Sequence, residues 1–178
     1  MNSISENMNN NNVSTHNNEE RLLSFRLVWQ DAWHYIDDGI DTDFYHSAEG
    51  VAKIDFLVEM EHFTINLDGR EQRFINEIRD LNVQNIDNQC FHDDWALDGY
   101  HWFFRIKTSA MDVCSSGWNA YPQEFVDLLI YLHSRYKIPY PHIFKYAKKG
   151  VFPREHQSKK VMSVEERSGI GPRSYIRE

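Results

Sequence analysis

A chain of 178 residues that is 41% hydrophobic and 14% aromatic can form one domain with a packed core. It nowhere approaches the run of about 18 apolar residues that a membrane-spanning helix needs. Residues 1–18 lack the basic and apolar regions of a secretory signal, so we expect a cytoplasmic protein whose two cysteines, Cys90 and Cys114, are free thiols.

Charge divides the chain into an acidic body and a basic tail. The net charge is −8, but residues 19–140 contain 22 acidic and 10 basic residues, whereas residues 141–178 contain 4 acidic and 9 basic ones. An acidic body attracts basic protein partners and repels the phosphates of nucleic acid. The tail can contact nucleic acid or fold back on the body. Solubility alone also explains a modest acidic excess.

The segment 19–36 fits two secondary structures. A helix is indicated by apolar residues that recur at helical spacing on one face, namely Leu22, Phe25, Trp29, Trp33 and Ile36. A strand is the alternative, because Phe25, Leu27 and Trp29 also alternate along the chain. We prefer the helix. An acidic loop is expected to follow it, with the carboxylates of Asp37, Asp38, Asp41 and Asp43.

A hairpin and a helix are predicted next. The β-branched residues of segments 51–58 and 63–67 predict two strands that turn at residues 59–61. Asp68 and Glu71 have the spacing of a capping box, which predicts a helix start. The buried stripe of this helix is expected to be Phe74, Ile75, Ile78 and Leu81.

The stretch from 85 to 132 alternates turns with regular elements. Residues 85–97 are polar and irregular, with Trp95 as the expected anchor, and residues 98–99 predict a turn. Tyr100 to Lys107 alternates as a strand does, and a second strand is predicted over residues 111–115, ending at Ser116-Gly117. Pro122 suits the start of a helix with an apolar stripe; the stripe is Phe125, Leu128, Leu129 and Leu132.

Two motifs in this stretch carry a family resemblance. They are D-G-x-x-W-x-x-x-I, from Asp98 to Ile106, and G-x-N-x-Y-P-x-x-F-x-x-L-L, from Gly117 to Leu129. Together with Leu81 to Val83 before them, they resemble a small, widespread bacterial α+β domain of unknown function, over about a third of the chain. Domains of this kind often stand among immunity proteins of bacterial toxin systems. The resemblance implies an inhibitor or accessory protein and no catalytic residues.

The same motifs have a structural explanation. Gly99 and Gly117 are expected to adopt backbone conformations that other residues avoid. Trp102 fills the core, Asn119 binds nearby backbone, and Tyr121 with Pro122 sets the helix entry. The alternative is that Asn119 and Tyr121 line a ligand groove. Asp98 belongs to the first turn of the motif.

The segment 90–94 holds the densest set of reactive side chains. Cys90 and His92 form C-x-H, which lacks the paired spacing typical of zinc sites, so we predict no metal and no cofactor. The acidic run at residues 37–43 has its glycine misplaced for a calcium loop. A small hydrolase-like enzyme that uses Cys90, His92, Asp93 and Cys114 remains an alternative.

We therefore predict an α+β fold in which a small antiparallel sheet has helices packed on one face. We expect a single domain over 19–147, preceded by a disordered lead over 1–18. We also expect a loosely held basic tail over 148–178, with a short helix at 164–167. The predicted function is non-catalytic, immunity-type masking of a basic toxin or nuclease surface. Electrostatic attraction of the partner is expected from Asp37, Asp38, Asp41, Asp43, Asp93 and Asp94. The contact energy is expected from Tyr100 and Trp118. A scaffold protein that docks through its basic tail is a further alternative.

Overall fold

The computed structural model describes residues 19–31, 39–95, 99–139 and 157–168. These residues form a mixed sheet of eight strands, with α-helices and a 3₁₀ turn, in an α+β architecture. The strands are β1 Leu22–Asp31, β2 Ile40–His46, β3 Ala52–Val58, β4 Glu61–Asn66, β5 Gln89–Asp93, β6 Tyr100–Thr108, β7 Asp112–Trp118 and β8 Gln157–Val161. The helices are α1 Glu71–Asp80, α2 Gln123–Tyr136 and α3 Val164–Arg167, and the 3₁₀ turn is Val83–Ile86.

The sheet is larger than expected and is not purely antiparallel. Its strand order is β4-β3-β2-β1-β6-β7-β5-β8, and β5 pairs with β7 in parallel while the other pairs are antiparallel. Strands β5 and β6 follow each other along the chain but are not neighbours in the sheet, because β7 lies between them. Strand β7 runs antiparallel to β6 and parallel to β5. In the described residues, no helix is long and apolar enough to cross a membrane.

One face of the sheet, which we call the inner face, contacts α1 and α2. Phe25 of β1 lies opposite Ile106 of β6, and Trp29 lies opposite Trp102, so these side chains point to the same face. Phe74 of α1 meets the Phe25 ring edge-on with centroids 5.7 Å apart. The ring of Phe125, from α2, stacks on the Trp102 indole with centroids 4.1 Å apart. All of these rings are buried, so the inner face is the main core of the described chain.

The opposite, outer face carries the alternate residues of the same strands. It is polar along much of its length, and an ion pair joins Arg26 of β1 to Asp41 of β2. The short helix α3 contacts this face, where the Cys114 thiol donates to the Arg167 carbonyl at 3.6 Å. The expected arrangement with all helices on one face is therefore not found.

The preferred helix over 19–36 was wrong, because residues 22–31 form strand β1. A register irregularity lies between Leu22 and Ser24. An extra residue of this kind resets the alternation, so Leu22 and Phe25 both reach the core although they are three residues apart. The irregularity thereby imitates a helical period. Trp33 and Ile36 lie outside the described residues.

The predicted hairpin over β3 and β4 is confirmed, but the capping box was wrong. Of the predicted stripe of α1, Phe74, Ile75 and Ile78 are buried, whereas Leu81 is the C-cap and is only partly buried. The N-cap of α1 is Arg70, and no side chain caps this helix. The Glu71 carboxylate instead accepts a hydrogen bond from the backbone N–H of Leu22 at 2.5 Å, which ties the helix start to β1. Trp95 does not anchor residues 85–97 either, since 73% of it is exposed, and β5 occupies part of that segment.

The motif residues within the described chain have structural roles. Gly99 has a φ of +139°, a backbone conformation that other residues avoid, as expected. Gly117 has no positive φ and lies inside β7; its strand does not end there, and a Cβ on it would overlap the Trp102 indole. Asn119 accepts from the Tyr100 N–H at 2.8 Å, and Tyr121 is buried against Trp29.

The second helix and part of the tail are ordered elements of the fold. Pro122 is the N-cap of α2 and so stands at the helix start, as predicted, and the predicted apolar stripe of α2 is buried. In the tail, β8 pairs antiparallel with β5 and extends the sheet. The predicted short helix at 164–167 is confirmed as α3. Residues 1–18 and Asp98 lie outside the described residues.

Candidate functional site

Two regions of the outer face bring functional side chains together. The acidic region consists of Asp41, Asp43, Tyr45 and Asp55 on β2 and β3. The thiol cluster consists of Cys90, His92, Ser116, Lys160 and Glu166, on β5, β7, β8 and α3. Three strands, β1, β6 and β7, separate β2 from β5. At about 4.8 Å per strand, β2 and β5 are roughly 19 Å apart.

The acidic region places two carboxylates directly opposite each other. Asp43 of β2 is in register with Asp55 of β3, so both side chains point to the outer face. The Thr64 hydroxyl donates to Asp55 at 2.6 Å, whereas Asp41 forms its ion pair with Arg26 at 2.7 Å. Asp41 and Asp43 were expected in a loop and lie instead in a strand. The alternation of β2 is what presents both on one face.

Tyr45 lies beside this carboxylate pair and is 38% exposed. Partial desolvation, together with the charges of Asp55 and Asp43, raises the pKa of its phenol. The phenol therefore stays neutral and can donate a hydrogen bond at physiological pH.

The other predicted acidic residues do not join this region. Asp93 lies on the inner side of β5 and accepts from the Trp95 N–H at 3.1 Å. Asp94, in the turn after β5, accepts from the Ser158 hydroxyl at 2.8 Å. Asp37 and Asp38 lie outside the described residues. The described acidic residues predicted to steer a partner thus fall into two separate groups.

The two aromatic residues predicted to contact a partner are both half-buried. Tyr100 packs edge-on against Trp29, with ring centroids 6.1 Å apart. Trp118 lies on the outer face between His92 and His101, and its ring is 4.3 Å from the His101 ring. Neither aromatic is the freely exposed side chain that the prediction assumed.

The thiol cluster combines residues that alternate onto the outer face of neighbouring strands with Glu166, which is distant from Cys90 in the sequence. Cys90 and His92 are two apart on β5 and so share the outer face, with the Cys90 sulfur 3.1 Å from His92 Nε2. The Ser116 hydroxyl donates to the same sulfur at 3.1 Å. Glu166 enters from α3, where it also pairs with Lys160 at 3.4 Å. The donor atoms of Cys90, His92 and Glu166 all lie within 4.8 Å of one another.

Burial controls the protonation of the thiol cluster. Burial raises the pKa of Cys90, although the hydrogen bond from Ser116 acts in the opposite direction. Burial also lowers the pKa of His92, and the charge of Lys160 lowers it further. At neutral pH the pair is therefore a thiol and a neutral imidazole. This is the opposite of the thiolate and imidazolium of an activated cysteine.

The structure brings together only part of the set proposed for an enzyme. Cys114 packs in the same small buried cluster as Cys90, and burial raises the pKa of Cys114 to about 11. Asp93 belongs to the other face of β5 and cannot orient His92. The carboxylate near the thiol is that of Glu166, which the sequence analysis missed. The S-x-x-E spacing of Ser163 and Glu166 indicates the start of the helix that carries Glu166. It does not indicate that Glu166 faces β5.

Comparisons with protein-family models, with curated proteins and with solved structures found no match.

Proposed function

We propose that this chain is a non-catalytic binding protein that covers a basic surface of another protein. In its most concrete form it is an immunity-type inhibitor of a toxin or nuclease. The observation that supports this function best is the position of Asp43 directly opposite Asp55 on the outer face. The net charge of −8 adds a long-range attraction for a basic partner.

The carboxylate pair has an energetic cost that the fold does not require. Like charges directly opposite each other on neighbouring strands destabilise a sheet, by roughly 0.2–1 kcal/mol. Asp43 is exposed, and the side chain of Asp41 is already engaged with Arg26. A lysine or arginine from a partner would relieve the repulsion and gain charge-assisted hydrogen bonds. Tyr45 supplies an exposed aromatic contact beside the pair.

A cysteine-dependent enzyme is the alternative, and one observation favours it: the contact between the Cys90 sulfur and His92. The sulfur belongs to a residue that is only 4% exposed, so a substrate has little access to it. Its raised pKa also leaves little thiolate at neutral pH. We therefore favour the binding protein.

The scaffold alternative depends on free basic residues in the tail. In the described part of the tail, Lys160 pairs with Glu166, and Arg167 pairs with Asp87. The pair between Arg167 and Asp87 joins the tail to the body, which was one of the two roles expected for the tail's charge. Lys160 and Glu166 both belong to the tail, so their pair is internal to it.

The test uses two double variants that remove the same charge. Asp43→Asn with Asp55→Asn neutralises the acidic region, whereas Asp68→Asn with Asp80→Asn neutralises two exposed residues next to α1 and at its end. Partners captured from the native host by the unchanged protein are identified by mass spectrometry. The affinity of each purified partner for the three proteins is then measured by calorimetry.

We expect a basic partner whose affinity falls at least about tenfold in the first variant, because two interfacial ion pairs are lost. The same partner should bind the control variant almost normally. Equal weakening in both variants would mean that only net charge matters. A partner that lacks a basic surface, or that binds the first variant normally, would contradict the proposal.

A further inference from the structure

The thiol cluster contains three side chains whose donor atoms are suited to a metal ion. Cys90 offers a sulfur, His92 a ring nitrogen and Glu166 a carboxylate oxygen, and these atoms lie within 4.8 Å of one another. Bond lengths of about 2.0–2.3 Å place the ligand atoms of tetrahedral zinc roughly 3.3–3.8 Å apart. The contact of 3.1 Å between Cys90 and His92 is close to that range. The farthest pair therefore needs to close by only about 1 Å to fit.

The surroundings of Cys90 differ from those of a purely structural cysteine. A buried cysteine ordinarily packs as a small apolar side chain. The Cys90 sulfur instead has three polar neighbours: His92, the Ser116 hydroxyl and the Glu166 carboxylate. Cys114, in the same buried cluster, makes one hydrogen bond, to the Arg167 carbonyl. Cys90 thus has side-chain partners for its sulfur that can act as metal ligands, whereas the hydrogen-bond partner of the Cys114 sulfur is a backbone carbonyl.

The carboxylate is already held in place. The Ser163 backbone N–H donates to one oxygen of Glu166 at 2.7 Å, and this bond forms half of the capping box of α3. The other oxygen faces Lys160 at 3.4 Å. The capping box therefore accounts for one oxygen only. The second oxygen is free to exchange a surface lysine for a metal ion.

We propose that Cys90, His92 and Glu166 bind a Zn²⁺ ion, with a fourth position left for water or a ligand. A mixed set of sulfur, nitrogen and oxygen donors suits zinc better than the hard cations calcium and magnesium. The thiolate and the carboxylate together balance the double charge of the ion. Binding releases the thiol proton to solvent, and the Ser116 hydroxyl is placed to donate to the resulting thiolate.

Such an ion would join the tail to the sheet. Cys90 and His92 belong to β5, whereas Glu166 belongs to α3, which follows the edge strand β8. The site is independent of the acidic region and stands whether or not that region binds a partner. It also departs from the expectation, based on the C-x-H spacing alone, that the chain holds no metal.

Cobalt provides the test, because Co²⁺ occupies zinc sites and reports its ligands by colour. The untagged full chain is titrated with Co²⁺, and its absorption is recorded. We expect one equivalent to produce the sulfur-to-cobalt charge-transfer band together with tetrahedral visible bands. Zn²⁺ should displace the cobalt and bleach both.

Matched variants identify the sulfur. Cys90→Ser should abolish the charge-transfer band and lower the affinity for Co²⁺ by at least about 100-fold. This loss is larger than the one caused by removing a residue that only hydrogen-bonds a metal ligand. Cys114→Ser, which changes the other buried cysteine, should leave the charge-transfer band and the affinity for Co²⁺ unchanged. Glu166→Gln should shift the visible bands and weaken binding. This variant also keeps the proposal testable if Cys90→Ser fails to fold, as judged by circular dichroism.

Two further variants sharpen the test. Ser116→Ala should weaken binding by about 10-fold, because the sulfur loses its hydrogen bond. Lys160→Met should strengthen binding, because it removes the cation that competes for Glu166. The proposal is overturned if the unchanged chain gives no charge-transfer band. It is also overturned if the band survives Cys90→Ser or disappears with Cys114→Ser.

Discussion

The two faces of the sheet are built from the same strands but have different chemistry. On β6, Phe104 faces inward and is fully buried, whereas its neighbour Phe103 faces outward and is half-buried. The inner face contacts α1 and α2 through closely packed rings. The outer face carries ion pairs, the acidic region and the thiol cluster. The difference indicates that stability depends chiefly on one face, which leaves the other available for binding.

The largest expected effect compares the two phenylalanines of β6. Phe104→Ala should lower the free energy of unfolding by about 3–5 kcal/mol, because it leaves a cavity in the core. Phe103→Ala should cost only about 1–2 kcal/mol, because less apolar area is buried there. Urea denaturation of both variants measures the difference. Equal losses would mean that the outer face is packed as tightly as the inner one.

A smaller effect concerns the ion pair between Arg105 and Asp112 on the outer face. Arg105 donates two hydrogen bonds to the Asp112 carboxylate, at 3.0 and 2.9 Å, and this lowers the pKa of Asp112. A lowered carboxyl pKa adds stability above the unfolded value of about 3.9, and this stability is lost as the pH falls through the folded value.

Asp112→Asn should therefore cost about 1 kcal/mol or less at pH 7, since both partners are partly exposed to solvent. Below the folded pKa the variant and the unchanged protein should be equally stable. Urea denaturation at a series of pH values measures this. A difference that persists undiminished in acid would show that the effect is not electrostatic.

The smallest effect compares two aspartates on the same face of β2. Asp43→Asn should raise the free energy of unfolding by about 0.2–1 kcal/mol, because it removes the repulsion from Asp55. Asp41→Asn should lower it slightly, by up to about 1 kcal/mol, because it breaks the ion pair with Arg26. Thermal unfolding at low salt compares them. The changes in the free energy of unfolding should have opposite signs in the two variants. A loss of stability in both would show that Asp43 and Asp55 do not repel each other in the folded protein.

The sequence predicted best those parts of the inner face where alternation is regular. Strand β6 and the buried stripe of α2 follow from periodicity alone, because each is a long element with one apolar face. Strand β1 was missed because the irregularity after Leu22 imitates a helical period. The capping box predicted at Asp68 was wrong because Glu71 has a tertiary partner, the backbone of Leu22, which local spacing cannot reveal.

The outer face was harder to predict because strand register assembles it. The opposition of Asp43 to Asp55 requires knowing how β2 pairs with β3. The approach of Glu166 to Cys90 requires knowing that the tail returns to β5 as β8. Neither pairing leaves a signal in the local pattern, and composition shows only the excess of negative charge.

The affinity for the basic partner, measured against salt for the unchanged protein and for the Asp43→Asn, Asp55→Asn variant, tests the central claim most directly. The account predicts that the affinity of the unchanged protein falls with salt, and that the variant binds at least about tenfold more weakly while being more stable to unfolding. Unchanged affinity in this more stable variant would contradict a binding role for the acidic region.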